Sequence, residues 1–238
     1  MTDFMSAQTR TETDSIGSLE IPAAAYWGVH TARAHENFPI ARRPISVYPD
    51  FVRAFACVKQ AAARANLEIG ALDEQRATLI DRACEEIKTG MLLDQFVVGV
   101  VQGGAGTSTN MNANEVITNR ALELAGHQKG DYDFINPNDH TNHSQSTNDT
   151  YPTAIKVALA FSLTSLLEEI TLLADSFEAK GREFSHIIKV GRTQLQDAVP
   201  MTLGQEFTAF AVTLREDVDR LTETVKLLGE VNMGATAI

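Results

Sequence analysis

Apolar side chains recur every three or four residues over most of the chain, which is the spacing of helices that bury one face. Three medium-length helices follow from this period, each closed by a glycine just past its end. Their predicted ranges are 51–70, Asp73 to Lys88 with Asp73 as the N-cap, and about 112–125. The pattern therefore predicts a mainly α fold.

Two longer helical patterns occupy the second half of the chain. The first steps by three or four residues from Ile155 to Phe177, and the second does the same from Phe207 to Leu228. Each forms an apolar seam of nearly heptad spacing. Because two such helices bury each other's seams only in part, they predict a bundle whose other helices come from elsewhere in the protein or from other subunits.

Polar and helix-breaking residues divide the rest of the chain. Residues 1–14 are predicted to be a disordered lead, and residues 15–28 break at glycine and proline as a short hairpin or extended segment would. We place a small N-terminal helical domain at 15–145 and the first part of a long-helix bundle domain at 146–238. The chain ends on an apolar tail without a cap, which indicates a fragment of a longer protein. A natural short protein is the alternative.

Charge and composition restrict the possible partners. The chain has 20 Lys and Arg against 31 Asp and Glu, a formal net charge of −11, which argues against nucleic acid and anionic membranes. Its start is polar, and no run of about 18 apolar residues occurs, so we expect a soluble, cytoplasmic protein without a membrane segment. Cys57 and Cys84 lie in helical patterns without C-x-x-C spacing, which favours buried thiols over a disulfide or a metal pair.

One polar loop, residues 136–151, contains hydroxyls, amides, two Asp and two His and almost nothing apolar. Its Ser146, Thr147 and Asn148 precede the first long helix, where donors can be aimed at an anion. An ordinary surface loop that supplies N-caps is the alternative. The spacing His140-x-x-His143 suits a metal pair only on a helix, which the Pro and Asn residues there disfavour, so histidines at the surface or supporting the site are expected instead.

A second polar loop, residues 102–112, is rich in glycine and is followed directly by a helix. Glycines let backbone N–H groups approach a ligand, and Thr107, Ser108 and Thr109 add hydroxyl donors next to a helix start that favours anions. The loop matches neither a Walker motif nor G-x-G-x-x-G, so nothing indicates a nucleotide. An ordinary glycine-rich turn is the alternative.

The third polar loop, residues 189–205, joins the two long helices and offers Thr193 and Gln194 as neutral donors and acceptors. Pairing of Arg192 with Asp197 within a plain loop is the alternative. The three loops share many neutral hydroxyl and amide groups and few charges. Such a site suits a carboxylate that gains a second negative charge, as when a proton is removed from the carbon next to it. No nucleophile with its base and no metal cluster is visible.

At these loops the sequence resembles the aspartase/fumarase superfamily, and most closely its aspartase branch. The first of the matching segments begins at Tyr26, and the resemblance as a whole covers nearly all of the chain from Ile16. They read Y-W-G-V-H-T-A-R-A-H-E-N-F, Q-G-G-A-G-T-S-T-N-M-N-x-N-E, N-P-N-D-H-x-N, Q-S-T-N-D-x-Y-P-T, G-R-T-Q-L-Q-D-A-V-P-M-T-L-G-Q-E-F and N-M-G-A-T-A-I. The resemblance implies a largely helical homotetramer whose central bundle is pooled from four subunits, with each active site built from three chains.

The resemblance also implies a reaction: deamination of L-aspartate to fumarate and ammonia by anti-elimination through an aci-carboxylate, without a cofactor or metal. Carried over by position, Thr107, Ser146 and Thr147 would hold the β-carboxylate that becomes the dianion, with Ser108 beside them in the substrate site.

The other positions carried over concern the remaining groups of the substrate. Asn148 and Gln194, with help from Thr107, would hold the amino group, and Thr193 would contribute to the α-carboxylate. Fumarases and some aspartases have His in place of Gln194, and fumarases usually have His in place of Asn136. Both differences favour the aspartase branch over fumarate hydratase, its closest rival.

One family segment does not occur in residues 1–238. The loop G-S-S-x-M-P-x-K-x-N-P carries the serine that acts as base and the residues that clamp the α-carboxylate. No catalytic base is therefore expected in this chain, and we expect the chain alone to be inactive. A non-catalytic assembly subunit that needs a partner chain remains an alternative. A lyase that releases fumarate from argininosuccinate or adenylosuccinate fits the motifs less well.

Overall fold

A computed structural model describes residues 8–234. Residues 1–7 of the predicted disordered lead and the last four residues of the apolar tail lie outside this range. The described chain is mainly α-helical, as predicted. Its helices are α1 (Val29–Asn37), α2 (Pro49–Glu68), α3 (Glu74–Lys88), α4 (Thr107–Leu124), α5 (Thr147–Glu183) and α6 (Leu203–Val225), and its strands are β1 (Thr9–Asp14), β2 (Gly17–Pro22), β3 (Ile188–Thr193) and β4 (Gln196–Thr202).

Strands β1 and β2 form an antiparallel hairpin. A short hairpin near the N-terminus is thus confirmed, but its first strand lies in the predicted lead and not within residues 15–28. Residues 9–14 are not disordered, because their side chains anchor the strand. The Arg10 guanidinium donates to the carbonyls of Ala25 and Trp27, and the buried Glu12 carboxylate accepts from the backbone N–H of Val29. Polar contacts thus hold a strand whose sequence looks too polar to pack.

Helices α2, α3 and α4 enclose the main core, in which Phe55, Ile80 and Ile117 are fully buried. The predicted N-cap of α3 is confirmed, since the Asp73 carboxylate accepts from the backbone N–H of Arg76 at 2.9 Å. Helix α4 begins at Thr107, five residues earlier than predicted. The hydroxyl groups assigned to a loop therefore lie in the first turn of a helix.

The chain divides into two compact units, and the second comprises Leu159–Glu230. The first unit contains residues 8–158 and 231–234 of the described chain, so α5 passes from one unit to the other. The predicted domain boundary between residues 145 and 146 stays a prediction.

The second unit contains a hairpin that the sequence did not predict. Strands β3 and β4 pair where a plain loop was expected, and their register shifts between Val190 and Arg192. The pairing of Arg192 with Asp197, held open as an alternative, is confirmed. Helix α6 follows β4 directly and starts with a capping box between Thr202 and Gln205.

Helix α5 contains 37 residues and is about 55 Å long at 1.5 Å per residue. One window of this helix reaches a mean hydropathy of 1.6, so by length and composition alone it could cross a membrane. This differs from the expectation that no such segment occurs. Glu168 and Glu169 interrupt its apolar side chains, and Leu159, Leu166 and Leu173 repeat at heptad spacing, which is typical of a helix that packs in a bundle.

Candidate functional site

The glycine-rich loop ends in a tight turn that aims the start of α4. Gly104, Ala105 and Gly106 all have positive φ, at 69°, 50° and 93°. The side chain of Gln102 clamps the turn, because its Oε1 accepts from the Thr109 backbone N–H at 2.9 Å and its Nε2 donates to the Thr109 hydroxyl at 2.7 Å. Backbone strain and the half-buried Gln102 amide thus fix the direction of the first helical turn.

Gly106 is the position in this turn where a side chain is least tolerable. A Cβ there would overlap the Tyr151 ring, while a Cβ at Gly126, which has a similar φ of 82°, would meet nothing within 4 Å. We expect Gly106→Ala to destabilise the full-length protein by about 1–3 kcal/mol more than Gly126→Ala, because overpacking adds to the same backbone strain. Unfolding curves of the two variants measure the difference, and equal losses would contradict the packing of Tyr151 against this turn.

The start of α5 carries the second group of predicted site residues. Ser146 acts as its N-cap, since its Oγ accepts from the Asn148 backbone N–H at 3.2 Å, and the Asp149 carboxylate accepts from the Ser146 backbone N–H at 3.3 Å. A hydroxyl that accepts in this way still has its own hydrogen to donate to a ligand. Thr147 is half-buried and Asn148 is exposed.

Asn110 joins the starts of α4 and α5. Its Nδ2 lies 3.4 Å from Thr147 Oγ1, and its Oδ1 accepts from the Thr150 hydroxyl at 3.0 Å. Since Thr147 Oγ1 accepts from Asn110, its hydrogen points away from that amide and is available to a ligand. The two helix starts, each with a partial positive charge, therefore belong to one hydrogen-bonded cluster.

Five of the seven predicted site residues lie in this cluster, and two do not. Ser108 is buried and Thr107 is exposed in the first turn of α4, where the Thr107 hydroxyl donates to the Gly104 carbonyl at 2.6 Å. A ligand bound by Thr107 must redirect that hydrogen. Thr193 and Gln194 lie at the exposed tip of the β3–β4 hairpin in the second unit. The cluster in the first unit contains Thr107, Ser108, Ser146, Thr147 and Asn148.

Three residues that support the cluster were missed by sequence reasoning: Asn110, Asn142 and Lys59. Asn142 Oδ1 accepts from Lys59 Nζ at 2.8 Å and from the amides of Asn110 and Asn114 at 3.1 and 3.2 Å. Lys59 is fully buried. It lies one helical turn after Phe55 on the predicted apolar face of α2, and a charged residue on that face was the available signal.

The two histidines of the polar stretch have structural partners. Residues Pro137–Thr141 form a single π-helical turn, which sequence reasoning did not predict. His140 Nδ1 accepts from the Asn136 backbone N–H at 2.8 Å, which requires its neutral form, and burial lowers the pKa of His140. His143 Nδ1 donates to the Asp139 carbonyl. Between residues 8 and 234 no three His, Cys, Asp or Glu side chains are grouped to hold a metal ion.

The two cysteines are free thiols. Cys84 is buried and Cys57 is half-buried, in agreement with their predicted place on helices of the core. Burial raises the pKa of both thiols, so neither is activated as a nucleophile.

Known proteins match this chain in sequence over nearly its whole length. A family model described as Lyase matches residues 17–238. The aspartate ammonia-lyase of Pseudomonas fluorescens is 57% identical over 98% of this chain and 49% of its own length. The aspartate ammonia-lyase of Escherichia coli (strain K12) is 55% identical over the same shares of the two chains. The chain thus spans about half the length of the curated relatives it matches.

Solved structures agree with the fold. A structure described as fumarate lyase:delta crystallin from Brucella melitensis has a TM-score of 0.89 and 56% identity, covering 96% of this chain and 53% of that chain. A class II fumarase from Schistosoma mansoni has a TM-score of 0.82 and 34% identity, covering 97% of this chain and 48% of that chain. The matched family model, the relatives and the fold lead to one conclusion: this chain belongs to the lyase family, with an aspartase/fumarase-like fold.

Proposed function

We propose that the full-length protein containing this chain is an aspartate ammonia-lyase, which converts L-aspartate to fumarate and ammonia. The observation that carries the proposal is the joined pair of helix starts: the Ser146 and Thr147 hydroxyls each have a hydrogen left to donate at the start of α5, and Asn110 links them to α4, which begins at Thr107. Neutral donors at two helix N-termini suit a carboxylate that becomes a dianion. Relatives more than half identical to this chain are named aspartate ammonia-lyase, which supports the same substrate.

In the proposed mechanism, the cluster binds the β-carboxylate, and its hydrogen bonds to that group strengthen as negative charge develops there. A base removes a proton from the β-carbon, and the electron pair moves into the carboxylate to give the aci-carboxylate dianion. The hydroxyls of Ser146 and Thr147 donate to its oxygens. The electron pair then returns to form the carbon–carbon double bond as the amino group leaves with its bonding pair and becomes ammonia.

The remaining roles are assigned by position in the family motifs. Asn148 and Gln194 contact the amino group, and Thr193 contributes to the α-carboxylate. The base is a serine in a loop that residues 1–238 do not contain, so the full-length protein must supply it. The chain by itself is therefore a substrate-binding half without a base.

We also propose that the protein is a cytoplasmic homotetramer whose sites are shared between subunits. The support lies in the second unit, where apolar side chains along both long helices are exposed. Leu166, Leu173 and Phe210 are each more than two-fifths exposed. Patches of this kind are typical of subunit interfaces.

Fumarate hydratase is the second candidate, because a class II fumarase shares the fold at 34% identity. A substrate panel separates the two. We expect the full-length protein to turn over L-aspartate in preference to L-malate, and the 238-residue chain alone to turn over neither. Preference for L-malate would replace the proposal by the fumarase assignment. Activity of the 238-residue chain would show that the base lies within it.

A further inference from the structure

Lys59 is a buried cation without a carboxylate partner in the described part of the chain. Its side chain is fully buried in α2, and its Nζ donates to Asn142 Oδ1 at 2.8 Å. Cys84 of α3 is a titratable group near Lys59, and its electrostatic interaction acts to raise the pKa of the ammonium. Burying an ammonium without a counter-ion is costly, so its presence here calls for a compensating role.

The charge of the Lys59 side chain is sensitive to its surroundings. Burial lowers the pKa of the Lys59 ammonium to about 7. An anion bound nearby would offset the cost of the charge and stabilise the ammonium form. Lys59 faces the segment that leads to the candidate site, and Asn66, two helical turns further along α2, donates to the His143 carbonyl of the same segment at 2.9 Å.

Asn142 transmits the position of Lys59 to the substrate cluster by two routes. Its Nδ2 donates to the carbonyl of Gln145, the residue directly before Ser146, at 2.9 Å. Its Oδ1 also accepts from Asn110 Nδ2 at 3.1 Å, and the same amide lies beside Thr147 Oγ1. A charged donor polarises such a chain of hydrogen bonds and fixes its geometry.

We propose that Lys59 is a positioning residue for the dicarboxylate site: through Asn142 and Asn110 it sets the direction of the Ser146 and Thr147 hydroxyls and supplies positive charge behind them. This inference rests on the proposed function. Lys59 does not touch the substrate, so its contribution lies in the alignment of donors toward the charge that develops on the carboxylate.

The first test compares Lys59→Met with Gln60→Met in the full-length protein. Gln60 is the next residue of α2 and is also buried, but its amide contacts Glu85 and the Asp81 carbonyl, away from the cluster. We expect Lys59→Met to lower kcat for L-aspartate by about 10²-fold, with a smaller change in KM and weaker inhibition by fumarate. Gln60→Met should keep the wild-type kcat and KM.

A measurement of protein stability shows whether a loss of activity comes from misplaced side chains or from a failure to fold. Replacing an unpaired buried charge by a similar apolar side chain is often neutral or stabilising, so we expect Lys59→Met to melt within a few degrees of the wild type. If the wild type is active and Lys59→Met keeps the wild-type kcat and inhibition by fumarate, the role of Lys59 is overturned and the proposed function is not. A wild type that does not act on L-aspartate would overturn the proposed function, and this inference with it.

A second variant tests the route through Asn142 and does not depend on the folding of Lys59→Met. Asn142→Ala should lower kcat by a similar factor. The double variant should be no slower than the more damaged single variant, because residues that act through one another are not additive. A wild-type kcat in Asn142→Ala, or additive losses in the double variant, would overturn the route.

Discussion

We expect Ser146→Ala in the full-length protein to lower kcat/KM for L-aspartate by about 10²- to 10³-fold. The Ser146 hydroxyl lies at the start of α5, accepts from the Asn148 backbone N–H and has its hydrogen left to donate. Losing one well-aimed donor to a developing anion has a cost of this size. Steady-state kinetics of fumarate release measure it.

The N-cap role of Ser146 requires a control, because alanine also removes a cap worth about 1 kcal/mol. Ser146→Asp keeps an N-cap acceptor but brings a negative charge toward the carboxylate, so we expect normal stability and an equal or greater loss of activity. Ser144→Gly removes an exposed hydroxyl two residues away, at a position with φ of 58° that glycine tolerates, and should retain activity. If Ser146→Asp retained activity, Ser146 would not be part of the substrate site.

We expect Glu115→Ala to loosen the start of α1. The Glu115 carboxylate is fully buried in α4 and accepts from the backbone N–H groups of Gly28, His30 and Thr31 and from the Thr31 hydroxyl, at 2.6–3.1 Å. It also pairs with His30 Nδ1 at 3.0 Å, and this hydrogen bond raises the pKa of His30. Alanine would leave several buried donors without an acceptor.

Removing one partner of such a network costs about 3–5 kcal/mol. We therefore expect hydrogen exchange of the backbone amides at residues 28–31 to be at least about 10²-fold faster in Glu115→Ala. Glu36→Ala, at an exposed position of α1, is the matched control and should change exchange by no more than about twofold. Unchanged exchange in Glu115→Ala would mean that other contacts hold the start of α1.

Most helices could be predicted from sequence because their apolar residues recur every three or four residues. Helix α2 and both long helices follow from that period, and the start of α3 follows from the N-cap preference of Asp73. Helix α1 has only a few apolar residues, and its start is fixed by Glu115, which is distant in sequence. Strand β1 alternates Thr with Arg and Glu, and it is held by contacts of Arg10 and Glu12 that no local pattern reveals.

The residue types of the candidate site could be predicted from sequence, but the residues that hold those side chains in place could not. Runs of hydroxyls and amides beside predicted helices identified Ser146 and Thr147, because helix starts and neutral donors are local features. The links through Asn110, Asn142 and Lys59 join three separate segments, and such contacts appear only once the chain is folded. The β3–β4 hairpin was missed because Gly191 and Pro200 interrupt its strands, and glycine and proline are typical of loops.

Incubating the full-length protein with L-aspartate, and measuring fumarate and ammonia together, tests the proposed ammonia-lyase activity. We expect the two products in equal molar amounts, at a rate that falls about 10²- to 10³-fold in Ser146→Ala. Dehydration of L-malate to fumarate, with neither product formed from L-aspartate, would contradict the proposed function.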